Sequence, residues 1–199
     1  MDKATKKEFI HLKIHTQYSI CEGALRTSDL AKYCKTNHVK AVGLCDSNNL
    51  CGALEFSEFI AKSKTQPIIG TQISIQYKGN RGKIPLFAKN LEGYKNLIKL
   101  SSKSFLEIKE DEEPHCKIED LEENCKGLIL LSGTFDGLIG QLFFKNLTDE
   151  IFLLFKKFNN TFKDSFYLEI QRHNDDGEKL FESFLLDASE KLALPIIAT

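Results

Sequence analysis

Short apolar runs alternate with amphipathic stretches along the whole chain, and this alternation restricts the fold more than any other feature. Strand-like runs fall at residues 9–15, 41–46, 67–76, 84–88, 127–132, 165–170 and 195–199. Helix-like spacing falls at 27–36, 53–63, 91–103, 118–124, 137–144, 148–158 and 177–192. Parallel strands need a crossover, and an intervening helix supplies it. The order therefore predicts an α/β fold with a largely parallel sheet, open or closed into a barrel. The segment Gln76 to Lys83, with Gly79-Asn80-Arg81-Gly82, reads as a hairpin turn, which adds one antiparallel element. Thr27-Ser28-Asp29 and Thr148-Asp149-Glu150 read as helix N-caps. Pro67, Pro85 and Pro195 stand at or just inside strand starts. The chain of 199 residues ends on a strand with no helix after it. We therefore expect a single domain, residues 1–199, cut from a much longer chain.

Composition narrows the class. Hydrophobic residues make up 42% and charged residues 28%, an ordinary globular balance. The charged start lacks an apolar signal segment, and no apolar run is long enough to span a bilayer, so a cytoplasmic protein without membrane contact is expected. None of the six cysteines forms a Cys-x-x-Cys pair, which speaks against a zinc knuckle and for reduced thiols. The charge is uneven: residues 1–100 carry 16 Lys/Arg against 8 Asp/Glu, and residues 101–199 carry 11 against 20. A basic half could attract a phosphate backbone, but no basic-aromatic platform or recognition helix accompanies it. An unevenly charged, solvated surface is the plainer reading. Residues 107–116 form an acidic excursion that reads as a solvated loop.

Chemistry in α/β folds collects at the C-terminal ends of strands. Here those ends carry Lys13, His15, Thr16 and Glu22; Asp46, Ser47 and Asn48; Thr71 and Gln72; Ser132, Gly133 and Thr134; and Gln171 with His173. Lys13 and His15, two apart on a strand, share one face, and His11 falls on the same face. A His-x-His pair there would grip zinc; a Lys-x-His pair does not, because an ammonium has no lone pair. A Ser132–His173–Asp46 triad lacks a Gly-x-Ser-x-Gly elbow and has little behind it. His38 reads as an exposed helix-terminus residue, and His115, in the acidic loop, as solvated rather than ligating.

Three stretches carry a resemblance: His11-Leu-Lys-Ile-His-Thr-Gln-Tyr-Ser-Ile-Cys-Glu-Gly-Ala24, Leu44-Cys-Asp-Ser-Asn-Asn-Leu-Cys-Gly-Ala53 and Pro67-Ile-Ile-Gly-Thr-Gln72. They resemble successive motifs of the polymerase and histidinol phosphatase (PHP) domain. The version they match is the one at the N-terminus of the bacterial DNA polymerase III alpha subunit. Gly93–Ser102, Gly127–Gly133, Phe166–Ile170 and Leu194–Thr199 resemble later segments of it. The resemblance implies a distorted (β/α)7 barrel, here truncated at its C-terminus. In active members it implies a cluster of up to three metals that hydrolyses phosphoesters.

This chain departs from the active pattern where it matters. Lys13 replaces the first histidine of the His-x-His pair, Ser47 replaces a histidine after Asp46, and Gln72 replaces a glutamate. His15, Glu22 and Asp46 survive. An ammonium ~4 Å from a divalent ion costs on the order of 8 kcal/mol at an effective dielectric of ~20. That is a large share of the ~10–16 kcal/mol with which a structural zinc binds. We therefore expect no metal in this fragment and no catalytic residue. Lys13, His15, Glu22, Asp46, Ser47 and Gln72 become vestigial metal-site positions, and His11 and His173 candidate pocket-lining residues. Lys13 is expected to pair with Glu22 or Asp46. The resemblance further implies a parent DNA-directed DNA polymerase using Mg2+, which meets DNA through regions outside this chain. It also implies a structural role here, docking the remainder of the alpha subunit and a proofreading exonuclease subunit. The alternative is a metal-dependent phosphoesterase or 3'-5' exonuclease with rearranged ligands, using His15, Glu22, Asp46 and His173.

Overall fold

The computed structural model describes residues 9–199. Seven strands form one sheet: β1 (Ala41–Ser47), β2 (Gln66–Tyr77), β3 (Asn80–Ala88), β4 (Cys116–Lys117), β5 (Leu128–Leu131), β6 (Phe166–Ile170) and β7 (Ile196–Ala198). Their spatial order is β1-β2-β3-β5-β6-β7, with β4 paired to β2. Only β3 runs against its neighbours on both sides. Helices α1 (Thr27–Thr36), α2 (Ala53–Lys62), α3 (Leu91–Leu106), α4 (Ile118–Glu123), α5 (Leu138–Phe144), α6 (Thr148–Phe162) and α7 (Glu178–Leu192) fill the connections. The fold is the expected α/β class.

Side-chain alternation sorts the sheet into two faces. On the outer face Ile73, Ile75, Ile84, Leu86, Leu130 and Leu168 pack against α3 to α7, where Leu97, Leu142, Phe155, Phe158 and Phe181 are buried. Val42 and Leu44 of β1 do the same beneath α1 and α2, against Leu30, Phe56 and Ile60. Burying each such side chain contributes roughly 1.5–3 kcal/mol, so this face anchors the fold. The inner face closes on itself: Cys45 of β1, Phe87 of β3 and Leu131 of β5 form one buried cluster, with Leu12, Tyr167 and Ile197 against it. Residues from both margins of the sheet meet over that floor, as in an open half-barrel. Above the floor, toward the C-terminal strand ends, the same face turns polar.

The expected first strand departs from regularity. Residues 9–15 run beside β1, but the N–H groups of Gly43 and Cys45, two apart, reach the carbonyls of His11 and Ile14, three apart (2.7 and 2.8 Å). One extra residue is thus inserted, as in a β-bulge, and only Ile14 bridges to Leu44. Gly43 permits the approach, since a Cβ there would lie 2.2 Å from the Leu12 carbonyl oxygen. The inserted residue also breaks the face-sharing expected of His11, which is exposed and packs edge-on against Phe9.

The 107–116 excursion is less solvated than expected, because His115 and Cys116 at its end are buried. The hairpin turns at Lys78 and Gly79, both at positive φ, with Tyr77 paired to Asn80. That is the two-residue turn whose twist suits a hairpin, and it falls inside the expected Gln76–Lys83 segment. Neither expected cap forms. Arg26 and Leu147 take the N-cap positions of α1 and α6 without a side-chain bond. Thr27 instead gives its hydroxyl to Glu55 of α2.

Candidate functional site

The polar mouth divides into three hydrogen-bonded groups. The first is centred on Asp46 at the end of β1. Its carboxylate accepts the Thr16 N–H (2.6 Å), the Thr16 hydroxyl (2.7 Å) and the Ser19 hydroxyl (2.7 Å). The Thr71 hydroxyl holds the Asp46 carbonyl from β2 (2.6 Å). Asp46 is fully buried, and its three accepted hydrogen bonds fasten the 16–19 loop to the sheet.

The second group gathers four of the expected positions around a residue that sequence reading missed. Lys83 of β3 pairs with Glu22, and its ammonium also reaches the Ser47 hydroxyl (3.1 Å). Ser47 donates to Glu22 and accepts from the Gln72 amide (2.8 Å). His15 stands beside them, its Nδ1 3.9 Å from Glu22 and 3.5 Å from the Ser19 hydroxyl. Burial lowers the His15 pKa below its ordinary 6.5; Glu22 and Asp46 oppose this, and Lys13 and Lys83 add to it. The imidazole is thereby biased toward neutrality. For Glu22, burial works against ionisation, but the Lys83 ammonium, the Ser47 hydroxyl and His15 together outweigh it and hold the carboxyl below its ordinary range.

The third group belongs to Lys13. Its ammonium turns away from Glu22 and Asp46 and crosses the mouth to β6, where it lies 3.5 Å from Glu169 Oε1 and donates to the Thr134 hydroxyl (3.2 Å). The expected partner is thus corrected: Glu22 is taken by Lys83, and Asp46 is engaged by the Thr16 N–H and the Thr16 and Ser19 hydroxyls. Thr199 donates to the same Glu169 oxygen (2.6 Å), and the Glu169 N–H is held by the Ser132 hydroxyl (2.9 Å). Thr134 passes a hydrogen bond on to Asp136 (2.6 Å). Burial pushes the Asp136 pKa up, but this bond and the Lys13 charge bring it below the ordinary aspartate value.

Glu169 was legible in principle. It is the lone carboxylate in Phe166-Tyr-Leu-Glu-Ile170, and alternation places it with Tyr167 on the inner face. Lys83 follows the same logic, since Phe87 of its strand lies on that face too. His173 lies exposed on the loop after β6, its N–H given to Glu178 (2.8 Å). Ser132 bonds to Gly133 and Glu169, and Asp46 to Thr16 and Ser19, so the structure does not assemble Ser132, His173 and Asp46 into a triad.

Comparison with known families matches residues 11–173 to the PHP domain. The chain belongs to the PHP family. Its relatives include the DNA polymerase III subunit alpha of Rickettsia bellii, 37% identical over 193 residues, covering 96% of this chain and 16% of the relative. The corresponding subunit of Caulobacter vibrioides is 34% identical over 207 residues, covering 100% of this chain and 18% of the relative. The chain thus spans less than a fifth of these relatives. Among solved structures, a protein assigned as a metal-dependent phosphoesterase from Bifidobacterium adolescentis superposes with a TM-score of 0.62 at 12% identity, covering 95% of this chain and 85% of that one. An amidohydrolase from Chromobacterium violaceum superposes with a TM-score of 0.57 at 9% identity, covering 94% and 84%. These two likenesses establish the fold alone.

The mouth of this PHP domain does not fit a metal cluster. Among the described residues no three His, Cys, Asp or Glu side chains come together as a metal-holding group. Two ammonium groups, Lys13 and Lys83, stand among the carboxylates instead, and neither has a lone pair to offer. Cys45 and Cys116 supply no substitute: burial pushes the Cys45 thiol up and the Cys116 thiol to about 12, far from the thiolate a metal needs. None of the described helices is long and apolar enough to cross a membrane.

Proposed function

We propose that this PHP domain is a structural and docking part of a DNA polymerase III alpha subunit, and that its strand-end site no longer hydrolyses phosphoesters. The Lys13–Glu169 contact carries the reading. It puts a fixed, covalently tethered positive charge, already matched to a buried carboxylate, where a phosphoesterase needs an exchangeable cation with open coordination positions. The polymerase relatives support the assignment to the alpha subunit, and the short share of their length that the chain covers supports a division of labour. Nucleotidyl transfer with Mg2+ then lies elsewhere in the subunit. The domain contributes a scaffold against the remainder of that subunit and a surface for the proofreading exonuclease subunit.

Metal analysis of the purified chain, with hydrolysis of bis-p-nitrophenyl phosphate in added zinc or manganese, tests the first half. The expected result is substoichiometric metal and no hydrolysis above buffer. Stoichiometric metal, with activity that disappears in His15→Ala, would overturn it and restore the phosphoesterase reading. Calorimetric titration with the exonuclease subunit tests the second half: heat of binding supports docking, and its absence at high concentration counts against it.

A further inference from the structure

A groove of about 480 Å³ opens beside the mouth, between the loop that carries Tyr18 and Ile20 and the acidic excursion that follows α3. Its inner end is polar, where Lys83 is already neutralised by Glu22. Its lips are apolar and acidic. Ile20 is 85% exposed on one lip, and Phe105, 51% exposed, lines the other beside Leu106, 80% exposed. Isolated apolar side chains on a surface call for no explanation, but here two line the same groove, with Leu106 next in the chain to one of them. Both lips are built rather than loose. Asn49 holds the Tyr18 carbonyl (3.0 Å); the His115 N–H holds the end of α3 through Ser104 (3.0 Å); and the Glu113 carbonyl accepts from Arg81 (3.3 Å).

The charge on the second lip selects the occupant. The excursion that gives Glu113 and Pro114 to the groove also carries Glu107, Glu110, Asp111 and Glu112, with Lys109 as the only base between them. Lys103 answers Glu107, and Arg81 answers Glu113 at 4.0 Å. Glu110 and Asp111 are exposed and make no ion pair among the described residues. A nucleic acid would be repelled by such a lip. A second copy docking on a two-fold axis would bring acid against acid. We propose that the groove binds a basic segment of a partner protein, with a large apolar side chain seated between Ile20 and Phe105 and its lysines or arginines along Glu110 and Asp111. This rests on the docking role proposed above and names the chemistry of what docks.

The test uses the 199-residue chain and a fluorescein-labelled peptide in which one Phe and one Leu stand among lysines, followed by fluorescence anisotropy. The expected result is saturable binding that weakens with salt and does not occur for the same peptide with Glu in place of Lys. Ile20→Ser with Phe105→Ser, and separately Glu110→Lys with Asp111→Lys, should each weaken binding by at least about tenfold. All four side chains are exposed, so circular dichroism should match the parent. No saturable binding, equal binding of the Glu peptide, or affinity unchanged in both double variants would each overturn the proposal. A parallel titration with the exonuclease subunit separates the two claims. If that subunit binds and none of the four substitutions weakens it, the groove is wrong while the docking role stands. If it does not bind at all, the docking role fails, and the peptide alone decides the groove.

Discussion

Lys13 and Lys83 each bring an ammonium group to the mouth of the same half-barrel, and each meets a glutamate there, but in opposite surroundings. The Lys13 and Glu169 side chains are 9% and 0% exposed; those of Lys83 and Glu22 are 34% and 36% exposed. Water can stabilise either member of the Lys83 pair if the other is lost. It cannot reach Glu169, whose second carboxylate oxygen already lacks a hydrogen-bond partner among the described residues. Identical charges at neighbouring positions are therefore expected to differ in kind: one is bound into the architecture of the barrel, the other is a replaceable surface pair. Lys13 also reaches farther. It ties the bulged 9–15 segment beside β1 to Glu169 of β6, which Thr199 holds in turn from the far margin of the sheet.

The largest effect should come from breaking the buried pair on one side. Lys13→Met leaves Glu169 uncompensated and should cost about 3–5 kcal/mol in urea unfolding. Replacing both partners, Lys13→Met with Glu169→Leu, should recover most of that loss, because a dry apolar pair needs no solvation. The double-mutant cycle is the decisive readout. If the two single losses simply add, Lys13 and Glu169 are not coupled, and the contrast with Lys83 collapses.

Asp46 comes next. Its carboxylate holds three donors from the 16–19 loop, so Asp46→Ala should cost about 2–3 kcal/mol, the range for hydrogen bonds to a charged group whose partners are left buried. Amide exchange should quicken in residues 16–23 while β5 and β6 stay protected. Uniform loss of protection would mean that Asp46 supports the whole sheet rather than this loop.

How much of this was legible in sequence follows the range of the interactions. All seven helices were foreseen, with α1 matching at both ends and α6 extended to Phe162, because their apolar periodicity is local and the outer-face core only ratifies it. The bulge between His11 and Ile14 was not, since it depends on how closely Gly43 lets a distant segment approach. The site shows the same division. His15, Glu22, Ser47 and Gln72 do converge in one network, as the motifs implied. The partner of Lys13 did not emerge, because Glu169 lies far along the chain and only the curl of the sheet brings β6 across the mouth. Lys83 was read as the end of a hairpin; its role depends on the antiparallel β3, whose register against β2 sets it opposite Ser74 on the rim of the mouth. Charge followed no simple division of the chain into halves either, since the basic first half contributes Glu22 and Asp46 to the mouth.

A smaller effect is expected at the exposed pair. Lys83→Met should cost no more than about 1 kcal/mol, and the difference from the parent should shrink as salt rises, because half-exposed charges are screened. A cost as large as that of Lys13→Met would show that exposure does not separate the two lysines.

The finest probe of the comparison is His15, which feels both ammonium groups. Its folded pKa lies below 6.5, chiefly through burial, so the unfolded chain binds a proton that the folded chain refuses. Stability should therefore fall as pH drops below about 6.5 and level off beneath the folded pKa, with a slope of at most about 1.4 kcal/mol per pH unit. Glu22 has the complementary behaviour: its depressed pKa adds stability that is present above 4.5 and lost at more acid pH. His15→Gln should flatten the upper window and leave the acid limb in place. Of the two ammonium groups, Lys13 is the stronger in holding the His15 pKa down. NMR titration of the His15 ring should accordingly show a larger upward shift in Lys13→Met than in Lys83→Met, measured where both variants remain folded. The reverse order would place the stronger field at the exposed lysine, and the buried ammonium would no longer be the charge that governs the mouth.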